Sequence, residues 1–126
     1  MIGKDQVEGK AEMFIDFEDR LTLFDTLVLC RFYRDLYTWD ELGEIIHNLT
    51  GIATDKESLK KIAATISNTV RRFNLREGMT PQDEWLPKGL FRKMEKTDNA
   101  ITPEELDYML KDYFRLRGWG EDGSLQ

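Results

Sequence analysis

The chain has 126 residues and a formal net charge of −6, which fits one acidic domain rather than a nucleic-acid-binding protein. No apolar run reaches the roughly 20 residues of a membrane span, and the first ten residues lack the apolar core of a secretory signal. A single cysteine cannot form an internal disulfide, so we expect a reducing, cytoplasmic compartment. From the charge and the absence of a long apolar run we expect no nucleic-acid or membrane partner.

The first predicted element is a helix from about Asp5 to Leu29. Apolar side chains recur along it at three- and four-residue steps, as on one face of a helix. Beyond Phe14 they spread to other faces, which is typical of a helix that packs against more than one neighbour. The recurring positions are Val7, Ala11, Phe14, Ile15, Leu21, Phe24 and Val28.

Three further helices are predicted from capping boxes, in which a threonine precedes a glutamate by three residues. The caps are Thr38, Thr54 and Thr102, and Pro103 after the last one suits the first helical position. Glycines favour the left-handed conformation that ends a helix, and here they are Gly51, Gly78 and Gly118. The apolar stripes are Leu42, Ile45, Ile46 and Leu49; Leu59, Ile62, Ala63, Ile66, Val70 and Phe73; and Leu106, Met109, Leu110, Tyr113 and Leu116.

The remaining segments have weaker patterns. Thr80-Pro81 predicts a short helix that Pro87 ends, and residues 88–100 are predicted to form a loop or a single turn. The polar, glycine-rich residues 118–126 predict a flexible tail. Because no useful segment alternates as a strand would, the predicted fold is all-α. It is a single multi-helical domain of four main helices plus short helical turns, with little or no β structure.

Asp25 lies in the middle of the most apolar stretch of the chain, LTLFDTLVLC at residues 21–30. On a helix its neighbours three and four residues away are mostly aliphatic, so we expect it to face the interior. A buried carboxylate needs a hydrogen-bonding or charged partner, and no residue within one turn supplies it. Two interpretations stay open, namely a satisfied structural acid and a carboxylate that binds an N–H-rich ligand. The stretch is expected to look like an interface rather than a finished core.

Cys30 is the only cysteine, and the pattern favours a buried, unreactive thiol. A cysteine hydrolase would need His47, the only histidine, as a nearby base, and nothing in the spacing argues for that pair. A structural zinc site takes about four Cys or His ligands and an iron–sulfur cluster four thiolates. Cys30 can therefore be a cluster ligand only if the other ligands come from elsewhere.

Two further features allow both structural and functional interpretations. The arginines of RRFNLREG, residues 71–78, fit a helix C-terminus or a bridge to a neighbouring domain or anionic group. Trp85 and Trp119 lie in irregular segments, where each could anchor a loop or face a partner.

Four segments of the chain resemble, in order, the C-terminal region of the tungsten-dependent aldehyde ferredoxin oxidoreductase family. DTLVLC, residues 25–30, resembles the family motif D-x-x-G-L-C, with Val28 in place of the motif's glycine. ELGEIIHNL resembles ELGE-x-I-x-N-L, and VRRFNLREGMTPQDEWLPKGL resembles R-x-FN-x-REG followed by D-x-LP. ELDYMLKDYFRLRGWGEDG resembles the closing helix and tail. The resemblance covers most of the chain.

The resemblance implies that residues 1–126 are the C-terminal helical domain of an enzyme that oxidises aldehydes to carboxylic acids and reduces ferredoxin. In that family the motif's aspartate hydrogen-bonds the pterin of a bis-pterin tungsten (or molybdenum) cofactor. The motif's cysteine is the fourth ligand of a 4Fe-4S cluster. Carried over, Asp25, Leu29 and Cys30 would be cofactor-binding residues and Cys30 would also bind iron, while no residue of this chain would be catalytic.

The family's other three cluster cysteines, its second aspartate motif, and its catalytic glutamate and histidine lie upstream of the matched segments. The resemblance therefore predicts a C-terminal piece, either an excised domain or one part of a split enzyme. Its partners would be the remaining N-terminal domains, ferredoxin and the aldehyde substrate, or a second copy bound through the exposed cofactor-facing surface. Alone, the chain is expected to be inactive and to bind no cofactor. The alternative is a small helical protein-interaction domain without redox activity.

Overall fold

The computed structural model describes residues 6–92 and 100–125. Within these ranges the chain forms four α-helices, three 3₁₀ turns and no strand, which confirms the all-α fold class. None of the helices in these ranges is both long and apolar enough to cross a membrane. The helices are α1 (Lys10–Thr26), α2 (Trp39–Thr50), α3 (Lys56–Arg76) and α4 (Pro103–Arg117), and the 3₁₀ turns are Arg31–Tyr33, Pro81–Glu84 and Lys88–Phe91.

Helix α1 is shorter than predicted. It ends at Thr26 rather than Leu29, although the apolar pattern continues through the next three residues. It begins at Lys10, directly after Gly9 at φ 78°, and the predicted start at Asp5 lies outside the described residues. The apolar residues beyond Thr26 serve the packing of the helix end instead of extending the helix, as described below for Val28 and Leu29.

The capping boxes at Thr38 and Thr102 are confirmed. The Thr38 backbone N–H donates to the Glu41 carboxylate at 2.7 Å, and the Thr102 N–H donates to Glu105 at 2.8 Å. The Glu105 N–H donates in return to the Thr102 hydroxyl at 3.2 Å. Each box satisfies backbone N–H groups that have no partner within the helix.

The predicted cap of α3 is wrong by one residue. The side chain of Asp55, not Thr54, accepts the Ser58 N–H at 2.8 Å, and α3 accordingly starts at Lys56. Hydrogen bonds from Ser58, first from its side chain and then from its backbone N–H, lower the pKa of Asp55 below its ordinary value. Aspartate caps a helix at least as well as threonine, so the box pattern located the helix start but not the capping residue.

Two compact units divide the chain, residues 15–71 and the combination of residues 1–14 with 72–126. In the 15–71 unit, α1, α2 and α3 each contribute two side chains to one buried apolar cluster. Leu27, Leu29, Tyr37, Ile46 and Ile66 pack against it. The buried members are Leu23, Phe24, Trp39, Leu42, Leu59 and Ala63.

Gly43 allows α2 to pass close to the segment that leads into α3. A Cβ atom at Gly43 would lie 2.9 Å from the carbonyl oxygen of Thr54 and 3.9 Å from the Leu59 side chain. The first distance is too short for a carbon against a backbone oxygen, so glycine is required by this close approach. Gly43 is the glycine of the ELGE segment.

The other unit is built on α4 and the chain that follows it. The Tyr113 ring contacts Phe14 and Trp119 edge to face, with centroid distances of 5.8 and 5.5 Å. Trp119 is buried, which agrees with an anchoring role. Trp85 stacks on Phe91 at 6.1 Å but stays partly exposed. The buried apolar side chains of this unit are Ala11, Leu106, Phe114 and Trp119.

The weaker segments form turns where the structure describes them. The predicted short helix is confirmed as the 3₁₀ helix Pro81–Glu84, with Thr80 at its N-cap. The predicted loop contains the turn Lys88–Phe91, and residues 93–99 of that loop lie outside the described residues. In the tail, the Gly120 N–H donates to the Ser124 carbonyl at 2.8 Å. Flexibility of residues 118–126 stays a prediction.

Candidate functional site

Asp25 lies on the last turn of α1 and is exposed, with 54% of its side chain accessible. Arg31 Nε donates to Asp25 Oδ1 at 2.9 Å, and Arg31 Nη2 donates to Oδ2. The prediction that Asp25 faces the interior and lacks a nearby partner is therefore wrong. It assumed a helix that continues to Leu29, whereas the chain turns back after Thr26 and brings Arg31 alongside Asp25.

The Arg31–Asp25 pair changes the protonation equilibria of both groups. The hydrogen bond from the Arg31 guanidinium holds the pKa of Asp25 below its ordinary value. The same contact raises the pKa of Arg31. Because both shifts favour the charged forms, Asp25 is an ionised hydrogen-bond acceptor at neutral pH.

The buried acid of α1 is Asp19, which sequence reasoning missed. Its side chain is almost fully buried and makes polar contacts. A signal was present, because Asp19 continues the four-residue spacing of Ala11 and Ile15 to Leu23, and both Ala11 and Leu23 are buried. Helix positions four apart share a face, so the acid on the buried face could have been identified from the register.

Among the arginines of residues 71–78, Arg71 is also buried and engaged in polar contacts. It therefore does not lie on a solvated helix end. Arg76 pairs with Glu77 at 3.0 Å and its guanidinium lies over the Phe73 ring at 5.2 Å, which places it on the surface. Arg76 and the exposed Arg72 agree with the simple C-terminal interpretation, whereas Arg71 does not.

The end of α1 is a complete Schellman motif. The Leu29 N–H donates to the Phe24 carbonyl at 2.8 Å, and the Val28 N–H donates to the Asp25 carbonyl at 3.2 Å. Val28 between them adopts φ 57°, which is the left-handed residue of this motif. Leu29 packs against the buried cluster that contains Phe24, and this supplies the accompanying apolar contact. The motif thus orients the residues on both sides of the helix end.

The same motif ends α3 and α4, but with glycine at the left-handed position. Gly78 and Gly118 have φ 96° and φ 70°. The next residue donates to a helix carbonyl in each case, from Met79 to Asn74 and from Trp119 to Phe114, both at 2.9 Å. Val28 is the one non-glycine residue with positive φ among those described. It occupies the position of the glycine in the family motif D-x-x-G-L-C.

We expect the substitution Val28→Gly to stabilise the chain by about 1 kcal/mol. The left-handed conformation costs an L-residue roughly 1–2 kcal/mol, and a glycine there loses up to about 1 kcal/mol more backbone entropy on folding. Val28 is 90% exposed, so little packing is lost. Urea denaturation followed by circular dichroism measures the change.

The matched control is Gly118→Val, which places valine at the equivalent position of α4. A Cβ atom at Gly118 meets no atom within 4 Å, so the substitution tests backbone conformation alone. It should lower stability by about 1 kcal/mol, the reverse of the change expected for Val28→Gly, because the strain of the left-handed conformation is partly offset by the smaller entropy loss of valine. If Val28→Gly destabilised the chain as much as Gly118→Val does, the strain at Val28 would be refuted.

Cys30 follows the helix cap directly and is exposed. Its backbone is extended, with φ −72° and ψ 122°, and its carbonyl accepts the Tyr33 N–H at 3.1 Å. The prediction of a buried thiol is wrong, because the chain leaves the packed face of α1 after Leu29. The Leu29 N–H is already committed to the cap, whereas the Cys30 N–H donates to no residue of the described ranges.

His47 lies exposed on α2, and no described hydrogen bond joins it to Cys30. In residues 6–92 and 100–125, no three His, Cys, Asp or Glu side chains come together in a way that could hold a metal ion. Cys30 is therefore not part of a complete metal site formed by the described residues. The structure gives no support to a Cys30–His47 hydrolase.

Large apolar side chains flank Cys30 in the sequence and are exposed. They are Val28, Phe32, Tyr33 and Leu36, and Phe32 is 92% accessible. We call these four residues the 28–36 surface. Side chains of this size are seldom exposed together on a finished surface. The exposed large apolar side chains elsewhere include Leu49, Ile52, Val70, Phe73 and Leu90.

Fold and site together define an all-α module that presents an exposed carboxylate, Asp25, and an exposed thiol, Cys30, in one short segment at the end of α1. The family model described as "Aldehyde ferredoxin oxidoreductase, domains 2 & 3" matches residues 2–126. The chain belongs to the aldehyde ferredoxin oxidoreductase family.

Three archaeal relatives carry the name tungsten-containing aldehyde ferredoxin oxidoreductase. The chain is 33% identical to the protein from Pyrococcus furiosus over 123 residues, 34% identical to that from Thermococcus kodakarensis over 120 and 33% identical to that from Pyrococcus abyssi over 120. These matches cover 94–96% of this chain but only 20% of each relative. No solved structure matches the chain significantly.

Proposed function

We propose that this chain is the C-terminal part of an aldehyde:ferredoxin oxidoreductase, in which Asp25 binds a pterin and Cys30 binds iron. The observation that carries the proposal is that both side chains are exposed beside the capped end of α1. They are the two chemically distinctive positions of the segment that resembles D-x-x-G-L-C. The family match and the names of the relatives support the same assignment.

The chemistry of Asp25 fits a pterin ring. Its carboxylate already accepts two parallel N–H groups from the planar Arg31 guanidinium. A pterin carries the same donor arrangement, since its ring N3–H and its 2-amino group lie side by side as in guanidine. Paired N–H donors and a carboxylate form strong bidentate hydrogen bonds. The Arg31 contact therefore illustrates how the carboxylate would hold the ring.

The environment of Cys30 fits a ligand to a shared cluster. Its thiol is exposed and follows a helix end that two backbone hydrogen bonds hold in place. The other three thiolates of a 4Fe-4S cluster would come from the rest of the enzyme. When bound, the tungsten (or molybdenum) bis-pterin and the cluster supply aldehyde oxidation and electron transfer to ferredoxin. The residues of this chain bind and orient them, and none acts on the aldehyde.

The exposed apolar side chains support the proposal that a large partner binds to this part of the chain. The residues of the 28–36 surface flank Cys30 in the sequence and are exposed, and burial of such side chains drives protein association. We propose that the other domains of the enzyme cover it in the cytoplasm. A protein-interaction domain without redox activity would use the same surface, so the two functions differ in metal content rather than in exposure. A homodimer through this surface is the third outcome to be tested.

The decisive experiment is co-expression of this chain with the polypeptide that supplies the rest of the enzyme. We expect the purified complex to contain iron, sulfide, tungsten and pterin and to oxidise aldehydes with ferredoxin as acceptor. Asp25→Asn should lower the pterin and tungsten content, because an amide cannot accept two N–H groups as a carboxylate does. Glu44→Gln is a matched control, since Glu44 is an exposed acid on α2. A stable complex without metal, or a homodimer, would contradict the proposal.

A further inference from the structure

Arg31 occupies the two oxygens of Asp25 that the proposed function assigns to the pterin. Nε and Nη2 of one planar guanidinium donate in parallel to Oδ1 and Oδ2. The N3–H and 2-amino groups of a pterin would use the same two acceptors in the same geometry. Two planar donors cannot bind at the same end of the carboxylate together, because each would need the same lone pair on each oxygen.

The exposed position of the Arg31 guanidinium also allows it to leave the Asp25 carboxylate. Its side chain is 59% exposed, and Asp25 is its polar partner within the described residues. An exposed ion pair contributes little to stability, since water and salt screen it. Exchange for another planar N–H donor would preserve both hydrogen bonds of the carboxylate. The fold therefore does not depend on this pair.

We propose that Arg31 is an internal occupant of the Asp25 site, which holds the carboxylate ready for a guanidine-like N–H donor and is displaced when the pterin binds. This inference rests on the proposed function of Asp25, and it makes Arg31 a competitor of the pterin for the Asp25 carboxylate. The apparent affinity of the site for a pterin is the intrinsic affinity multiplied by the fraction of molecules in which the Asp25 carboxylate is free of Arg31. Removing the guanidinium should therefore tighten binding.

The test uses the full chain, Arg31→Gln, and neopterin as the probe, with backbone amide signals of residues 25–31 followed by NMR. Arg31→Gln should bind neopterin about threefold or more tightly than the unmodified chain. Arg34→Gln is the matched control, since Arg34 lies in the same segment, pairs with Asp35 and changes the net charge equally. Lumazine has a carbonyl in place of the 2-amino group and therefore lacks the paired donors. Its affinity should be the same for the Arg31→Gln chain and the unmodified chain.

A second readout follows the Asp25 carboxyl group itself. Arg31→Gln should raise the pKa of Asp25 towards its ordinary value, because the lowering comes first from the Arg31 hydrogen bond. Arg34→Gln should leave that pKa unchanged. Together the two readouts separate a specific occupant from a general effect of charge.

Three results would overturn the inference. These are equal or weaker neopterin binding by Arg31→Gln, equal tightening by Arg34→Gln, and no neopterin response at Asp25 in the Arg31→Gln chain. The proposed function has a separate test, since loss of tungsten and pterin from Asp25→Asn in the assembled complex supports it whatever the role of Arg31.

Discussion

Replacing Cys30 with alanine in the assembled enzyme is expected to remove most of the cluster iron and to lower ferredoxin-linked aldehyde oxidation more than about tenfold. Substituting even the groups that orient a metal ligand typically costs 10–100-fold in metal affinity or activity, and Cys30 is proposed as a ligand itself. Iron and sulfide content, together with the spectrum of the reduced cluster, measure the first effect. Aldehyde oxidation with ferredoxin as acceptor measures the second.

The fold should tolerate the same substitution. Cys30 is exposed, and surface substitutions usually change the free energy of unfolding by less than about 0.5 kcal/mol. An unchanged denaturation curve for Cys30→Ala in the isolated chain would therefore assign the loss of activity to the thiol. His47→Ala serves as the control, because a hydrolase that used Cys30 and His47 would lose activity in both variants. Retention of the full cluster and activity by Cys30→Ala would eliminate its proposed role.

The largest loss of stability is expected from Trp39→Ala, about 3–5 kcal/mol. Trp39 is buried between α1 and α3 in the core cluster of the 15–71 unit. Its Nε1–H donates to Asp16 of α1 at 2.9 Å, and the Lys60 amine of α3 lies over its ring at 5.7 Å. One side chain at the start of α2 therefore contacts both neighbouring helices. Folded domains have only about 5–15 kcal/mol of total stability, so this variant is marginal or unfolded.

Trp39→Phe separates the hydrogen bond from the packing. It keeps an aromatic ring in the core but loses the donor to Asp16, and we expect a loss of about 1–2 kcal/mol. Asp16 retains Lys60 at 3.8 Å and Arg20 at 3.6 Å as charged neighbours. Trp85→Phe is the control for a partly exposed tryptophan and should cost no more than about 0.5 kcal/mol. The free energy of unfolding is measured by urea denaturation followed by circular dichroism, because removal of a tryptophan also changes the fluorescence signal.

A double-mutant cycle completes this test. Asp16→Ala combined with Trp39→Phe should lose less than the sum of the single losses, because each single variant already breaks the same hydrogen bond. Strict additivity would show that the Trp39–Asp16 contact contributes nothing, and the stabilising role of Trp39 would then be packing alone.

Local sequence rules located α2, α3 and α4, whereas the predicted end of α1 was wrong. The boxes at Thr38 and Thr102 and the stops at Gly51, Gly78 and Gly118 depend on groups within five residues of one another. The apolar stripes were less informative. Leu42, Leu59, Ala63 and Leu106 are buried, but other members of the same stripes, such as Leu49 and Phe73, are exposed. Periodicity identifies a face that can be buried, but it does not identify which part of that face has a partner.

The amino-acid sequence by itself determined the all-α class, the starts of α2, α3 and α4 to within one residue, and the family motif at residues 25–30, because these follow from residue type and spacing. Only the tertiary structure decided that Asp25 is exposed and paired with Arg31. The Leu29 side chain packs on the cluster around Phe24, which favours a helix that ends at Thr26 with Val28 in the left-handed conformation. That early turn brings Arg31 beside the exposed Asp25. The orientation of a side chain near a helix end depends on where the helix stops, and long-range packing sets that point.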